Sequence, residues 1–366
     1  MRKRIVWVTP VSFIDCNLEL VPFLSHTYDI YWIITASATP SIYDKIKRME
    51  NNSLRIELYL NKTKWYMPMK FFSSKRFYRY LCGIKSNLIY INEAPQLWSY
   101  YAACLFLPIE KTVFALHNVK TPKGARHEHF ARYYMNKVIK RFQLFQVFSN
   151  NQNNYLKSRT SGKNILYAQL TLENFGPPVV RSHFMDITNF LSFGYIRDYK
   201  RLDLLIVAAQ KLYEETNKPF IVTIAGVCND WGKYAKMIKY PQLFNLHIGF
   251  IDYEDVPSFF SNCDYAVFPY QDIAQSGALM QAFYYHVPSI TSDIPSFREF
   301  INNGENGFLF KAEDVISLKD IMKRVLYFSK DEKDKLIIST KAYVERNHSI
   351  DSLADKYISF FDKYCM

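Results

Sequence analysis

Short apolar runs separated by longer amphipathic or polar stretches recur along the chain. In the first half the runs are Arg4–Thr9, Ile30–Thr35, Leu54–Tyr59, Leu88–Ile91, Thr112–Leu116 and Leu144–Phe148. Continuous rather than alternating hydrophobicity is what strands buried on both faces require, and strand followed by crossover predicts a parallel sheet under helices. Gly176-Pro177-Pro178 then opens a mixed polar stretch. Two consecutive prolines resist both helix and central strand, so a linker is expected at 176–188. The second half repeats the alternation: strand Asn189–Ile196, helix Leu202–Tyr213, strands Phe220–Val227 and Leu246–Ile251, helix Val256–Asn262, strand Asp264–Tyr270, helix Ser276–Tyr285, strand Val287–Ser292 and helix Ser296–Asn303, with helical segments to the end. The expected organisation is an α/β domain over 1–175, the linker, a second α/β domain over 189–346 and a terminal helix over 347–366. Parallel α/β units bind ligands at the carboxyl ends of their strands, and a cleft between two of them suits a two-part substrate.

Length and composition agree with two folded domains. The 366 residues are 49% hydrophobic and 22% charged, which excludes disordered, collagen-like and coiled-coil classes. Lys and Arg number 46 against 34 Asp and Glu, so the +12 surface favours anionic partners. No helix-turn-helix, RNA-recognition or zinc pattern accompanies that charge, and nucleic acid is not expected. Cys16, Cys82, Cys104, Cys228, Cys263 and Cys365 form neither a CxxC pair nor a zinc spacing, as fits reduced thiols in a cytoplasm. The opening Met1–Pro10 has a basic start and only a short apolar run, so it reads as a first buried strand and not a signal peptide. No run approaches the roughly 18–20 apolar residues of a spanning helix, so membrane contact is expected to be peripheral.

Two segments carry candidate chemistry. Phe193-Gly194-Tyr-Ile-Arg197-Asp-Tyr-Lys200-Arg201-Leu-Asp203 sets cations beside a helix start, where they can hold a diphosphate and stabilise charge on a leaving nucleotide without a metal; a solvated basic turn has the same composition. Gln275-Ser276-Gly277 opens a later helix. A glycine there lets an anion approach the free amide groups, although a plain N-cap reads the same way. His127 and His129 flank Glu128 at a spacing that fits no zinc pair, and they read as surface residues. No Asp-x-Asp pair is present, no metal site is expected, and no cofactor is implied.

Taken together, these segments resemble family 4 of the glycosyltransferases, a retaining group with the GT-B fold of two Rossmann-like domains facing each other across a cleft. The resemblance lies in Phe193–Leu205, Ile224-Ala-Gly226, Asp264-Tyr-Ala-Val-Phe-Pro269 through Gln275-Ser-Gly, Val287–Asp293 and Phe297-Arg-Glu299 through Gly307, and covers most of 189–310. The first half matches only through Leu116-His117-Asn118-Val119 and its strands. The resemblance implies an acceptor-side domain over 1–175, a nucleotide-sugar-binding domain over 189–346 and a terminal helix over 347–366 of the kind that in this fold can cross back to the first domain. It implies further that Arg197 and Lys200 contact the donor diphosphate and that His117 faces the transferred sugar. It also implies a donor site of Gly194, Gly226, Gln275, Ser276, Gly277, Gln281 and Glu299. The chain departs from the family where two glutamates usually stand seven residues apart: Ile273 and Gln281 occupy those places, with Asp272 beside the first. Gln281 can still bind ribose hydroxyls through its amide but carries no charge.

Between Asn61 and Lys85 the chain has no acidic residue, and Lys64, Lys70, Lys75, Arg76 and Arg79 interleave with Trp65, Phe71 and Phe72. This composition suits contact with an anionic membrane face. The expectation is a metal-independent glycosyltransferase of surface polysaccharide biosynthesis, cytoplasmic and at the inner face of the plasma membrane. It would move a sugar from a UDP- or GDP-sugar to a glycan or lipid-linked acceptor with retention. The alternatives are a GT-B-like binding protein without catalysis and a sugar-nucleotide epimerase.

Overall fold

The computed structural model describes residues 2–120, 128–180 and 187–365. The chain divides into two units, Met1–Thr171 with Ile350–Met366, and Leu172–Ser349. The second unit thus begins ahead of the expected linker. Residues 181–186 of that linker lie outside the described residues, and so does His127.

The first unit carries β1 (Arg4–Pro10), β2 (Asp29–Ala36), β3 (Leu54–Leu60), β4 (Leu88–Ile91), β5 (Thr112–Leu116), β6 (Leu144–Val147) and β7 (Asn164–Tyr167). They form one parallel sheet in the order β3-β2-β1-β4-β5-β6-β7. The order reverses between β1 and β4, and this switch point is where doubly wound sheets open a crevice. β4, β5 and β6 are buried at every position, which explains why their runs are apolar apart from Thr112 and Gln146. The last helix, Ile350–Tyr364, belongs to this unit: Tyr357 and Phe361 pack on Trp7 and Tyr90, and buried Gln146 bonds to the Tyr90 and Tyr357 hydroxyls.

The second unit carries β8 (Thr188–Phe193), β9 (Phe220–Gly226), β10 (Phe244–Ile248), β11 (Tyr265–Phe268), β12 (Ser289–Ser292) and β13 (Gly307–Phe310), all parallel in the order β10-β9-β8-β11-β12-β13. Its switch point lies between β8 and β11. The helix expected over Ser296–Asn303 is only Pro295–Arg298, because Asn306 bonds back to the Asn302 amide and the Phe300 carbonyl and turns the chain into β13. Among the described residues no helix is long and apolar enough to cross a membrane.

Candidate functional site

The loops leaving β8 and β11, on either side of the second switch point, bring the cationic segment and the helix start together. Gly194 and Gly226 make the first loop possible. Both have positive φ, 99° and 142°, and a β-carbon on Gly226 would come within 2.2 Å of the Gly194 carbonyl oxygen. Only glycine permits that approach. The loop is then clamped by Gly194 N–H to Ala225 O at 2.9 Å and Ile196 N–H to Val227 O at 2.8 Å. It carries Lys200 back over its own start, where Nζ lies 3.4 Å from the place of a Gly194 β-carbon.

Lys200 is half-buried, its ammonium 5.3 Å from the centre of the Tyr270 ring. Burial, and secondarily the charge of Arg197, bring its pKa down to about 8. Arg197 is exposed and rests on Tyr195, 4.1 Å from that ring centre. Among the described residues neither cation has an acidic partner within ion-pair distance. The neighbouring charges are paired: Asp198 with Lys233 at 2.7 Å, and Arg201 with Asp203 at 2.9 Å. A buried cation beside a like charge is costly unless an anion joins them.

The second loop is tied to the first by Gln271 N–H to Tyr199 O at 2.8 Å. Tyr270 shares a hydrogen bond with the Ser276 side chain, which also caps the helix Gly277–Tyr284 by accepting from Leu279 N–H at 3.2 Å. Gly277 has a separate reason to be glycine, since a β-carbon there would lie 2.5 Å from a carboxylate oxygen of Glu173. That buried carboxylate also accepts from Gln281 Nε2 at 2.8 Å. Glu173 thus stands beside the positive end of the helix, where the backbone of Ser276 and Gly277 is expected to contact phosphate or sugar. Sequence reasoning missed Glu173, which meets Gly277 and Gln281 more than a hundred residues away along the chain. Gln275 is half-buried, and Ile273 is buried with its carbonyl accepting from the Ser296 hydroxyl. Glu299 is half-buried and acts electrostatically on Tyr343.

In the first unit His117 follows β5 and is buried between Phe13, stacked at 3.7 Å, and Phe148, at 4.4 Å. Its Nε2 meets Asn92 Oδ1 at 2.7 Å, and burial lowers its pKa to about 3. The ring is neutral at pH 7, so its chemistry is hydrogen bonding rather than charge.

Residues 183–360 match the family model described as glycosyl transferases group 1. Solved structures match along the whole length. A glycosyltransferase from Rickettsia africae is 13% identical with a TM-score of 0.75, over 99% of this chain and 98% of that one. Sucrose-phosphate synthase from Thermosynechococcus elongatus is 13% identical with a TM-score of 0.76, over 99% of each. The chain has the GT-B fold. A third structure, Anabaena HepE in complex with UDP and glucose, is 10% identical with a TM-score of 0.74, over 99% of this chain and 100% of that one. No curated protein matches the sequence. The group 1 match and these neighbours support a GT-B glycosyltransferase.

On this GT-B chain the basic and aromatic segment is divided. In the helix Met69–Gly83, Phe72, Arg76 and Arg79 are exposed, Phe71 and Lys75 are half-buried, and Lys75 and Arg79 lie over Phe106. Lys64 and Trp65 precede the helix and are exposed, and Trp65 with the half-buried Lys70 also lines a cavity of this unit. Among the described residues no group of three or more His, Cys, Asp or Glu is placed to hold a metal ion.

Proposed function

We propose that the chain moves a sugar from a nucleoside-diphosphate sugar to a glycan or lipid-linked oligosaccharide, with retention of anomeric configuration, in surface polysaccharide biosynthesis. The observation that carries this reading is Lys200: a half-buried ammonium beside Arg197, with no acidic partner within ion-pair distance among the described residues, at the switch point of a Rossmann-type sheet. A diphosphate supplies the two negative charges that this pair lacks. UDP in the similar Anabaena structure supports a nucleotide donor of this kind.

In the proposed step the bond from the anomeric carbon to the diphosphate oxygen breaks, and charge develops on the phosphate against Arg197 and Lys200. An oxocarbenium-like centre forms, and the acceptor hydroxyl enters from the same face, its proton passing to the departing phosphate oxygen. Positive charge from the two side chains does the work a divalent ion would otherwise do, and no protein nucleophile takes part. Glu173 with Gln281 is assigned the donor's hydroxyls, a carboxylate and an amide accepting and donating in turn. His117 is assigned a neutral hydrogen bond to the sugar. The exposed Phe72, Arg76 and Arg79, with Lys64, are assigned to the anionic inner face of the membrane.

A panel of UDP- and GDP-sugars tested for thermal stabilisation, followed by donor consumption with glycan acceptors, decides the reading. The expected result is stabilisation by one nucleotide class and acceptor-dependent release of the nucleotide. Stabilisation without consumption identifies a sugar-nucleotide-binding protein instead, the reading that Ile273 and Gln281 favour. Neither effect with any donor removes the proposal.

A further inference from the structure

We infer that the cavity at the amino ends of β1, β2 and β3 in the first unit binds a phosphorylated small molecule, held through its phosphate by Arg55 and Lys85. This site goes beyond the transferase reading and does not rest on it.

Arg4 opens β1, Asp29 opens β2 and Leu54 opens β3, and all three border a cavity of about 920 Å³. The end of the helix Met69–Gly83 borders it too, with Tyr80, Gly83 and, just past the end, Lys85. The strands run for seven or eight residues at about 3.3 Å each. The cavity is therefore roughly 20 Å from their carboxyl ends, where a sheet of this kind takes its substrate. Its volume is within the range for small-molecule sites, about 300–1,000 Å³, and exceeds what a bare phosphate ion fills.

The charges that line it do not balance. Four cations, Arg4, Lys47, Arg55 and Lys85, are set against two acids, Asp29 and Glu50. Both acids are already engaged: Asp29 Oδ2 accepts from Arg4 Nε, and Glu50 Oε1 accepts from Lys47 Nζ and from the Ile56 N–H, each at 2.7 Å. Glu57, which does not line the cavity, accepts from the hydroxyls of Tyr31 at 2.5 Å and Tyr80 at 2.7 Å. Among the described residues Arg55 and Lys85 have no acid within ion-pair distance, although Arg55 acts electrostatically on Glu50.

Both of these cations are placed by the backbone. Arg55 pairs in register with Tyr31 on β2, and its guanidinium carbon lies 4.8 Å from that ring centre, so the planar fork is held while its edge stays open. Lys85 has a φ of 34°, a left-handed conformation that glycine adopts freely and lysine only at a cost. The backbone gives no reason for lysine there; the ammonium does.

A cationic ligand would meet an excess of two positive charges. An apolar one would strip water from six charged groups and return no hydrogen bond. A neutral sugar would leave Arg55 and Lys85 without counter-charge. A phosphate monoester carries about −1.5 to −2 charge at pH 7 and three acceptor oxygens, which matches the excess. It would take parallel N–H bonds from the Arg55 fork and one from Lys85, while the exposed Asn52 amide donates and accepts toward the rest of the molecule.

The test uses the full chain, as the parent and as Lys200→Met, in which the proposed donor site no longer competes. Glucose 6-phosphate, glycerol 3-phosphate and AMP are titrated by calorimetry, with glucose and glucosamine as controls. At least one phosphorylated probe is expected to bind Lys200→Met about tenfold or more tighter than either control. Its affinity should fall about tenfold or more when Arg55→Gln or Lys85→Gly is added, the scale of one charge-assisted contact. Arg55 is exposed, glycine suits the backbone at 85, and matching melting curves confirm that both variants are folded. Dihexanoyl phosphatidic acid separates the two sources of such a group: tighter binding than glycerol 3-phosphate assigns a lipid headgroup, weaker binding a soluble metabolite, and either supports the phosphate site. No binding by any phosphorylated probe, equal binding of glucose, or undiminished affinity in both folded variants overturns it. Probe binding that Lys200→Met alone abolishes belongs to the proposed donor site and overturns this one.

Discussion

Replacing Lys200 by methionine removes its charge at little change in volume and tests the proposed phosphate site directly. The Lys200 pKa falls from 10.5 to about 8 through burial and, less, through Arg197, which amounts to about 3 kcal/mol against the charged form in the folded chain. Between about pH 8 and 10.5 the unfolded chain holds a proton here that the folded chain has released, so stability rises with pH through that window; below about pH 8 both forms are protonated and the full cost is present. Near pH 7 the Lys200→Met protein without ligand should therefore be more stable than the parent, by up to about 3 kcal/mol in denaturant melts, and should lack the rise above pH 8.

The same change should abolish the effect of pH on nucleotide binding. A diphosphate beside Lys200 raises its pKa again, so UDP binding takes up a proton wherever the free chain has lost one. The last phosphate proton of a nucleotide leaves near pH 6, so above neutrality Lys200 accounts for the uptake. The expected value is about half a proton per UDP at pH 8, approaching one near pH 9, with affinity falling by up to about tenfold per pH unit above 8. Calorimetry in buffers of different ionisation heat measures this. Zero uptake at pH 8, or the same pH dependence in Lys200→Met, refutes the assignment.

Arg197→Ala should slow transfer by about 10²–10³, the scale for losing one donor to developing charge; unchanged turnover at saturating donor excludes the role. Gly226→Ala forces a β-carbon to 2.2 Å from the Gly194 carbonyl oxygen and should cost about 1–3 kcal/mol or more in urea melts. Gln281→Glu sets a second carboxylate against Glu173 and should weaken stability and donor binding. Adding Glu173→Gln should recover part of both, and strict additivity in the double-mutant cycle disproves the coupling. Vesicles rich in anionic lipid should float the chain, neutral vesicles should not, and Phe72→Ser with Arg76→Glu should release it; equal recovery on both lipids removes the membrane proposal.

Central strands were legible because burial on both faces leaves no room for polar alternation. β4, β5 and β6 are buried throughout, and their apolar runs mark them almost to the residue. Edge and late strands were not. β10 is exposed at three of its five positions, so its pattern no longer distinguishes strand from loop and the expected run starts two residues late. β7 at the edge of the first sheet is buried at one of its four positions, so no continuous apolar run marks it. The helix expected over Ser296–Asn303 ended early because asparagine side chains bond the backbone in place of the next turn. The segment Asn61–Lys85 was read by composition alone, which cannot separate a ring that faces solvent from one that lines a cavity; Trp65 and Phe72 therefore looked alike.

The loop after β8 shows where local sequence pattern stops carrying the geometry. Gly194, Arg197 and Lys200 lie within seven residues and make contacts among themselves, so their spacing carries the geometry. The negative charge on the other side does not come from the helix that holds Gln281. It comes from Glu173, through a contact spanning 108 residues, and no window of sequence contains both ends. The pairing also explains why the two sites differ in chemistry. A carboxylate at the start of the Gly277 helix is stabilised by the helix dipole and repels a second anion, which is why the proposed function assigns the diphosphate to Arg197 and Lys200 and the hydroxyl groups of the sugar or ribose to Glu173 and Gln281. Glutamine at 281 fits this electrostatic setting: with Glu173 in place, an amide donates to it where a second carboxylate could not.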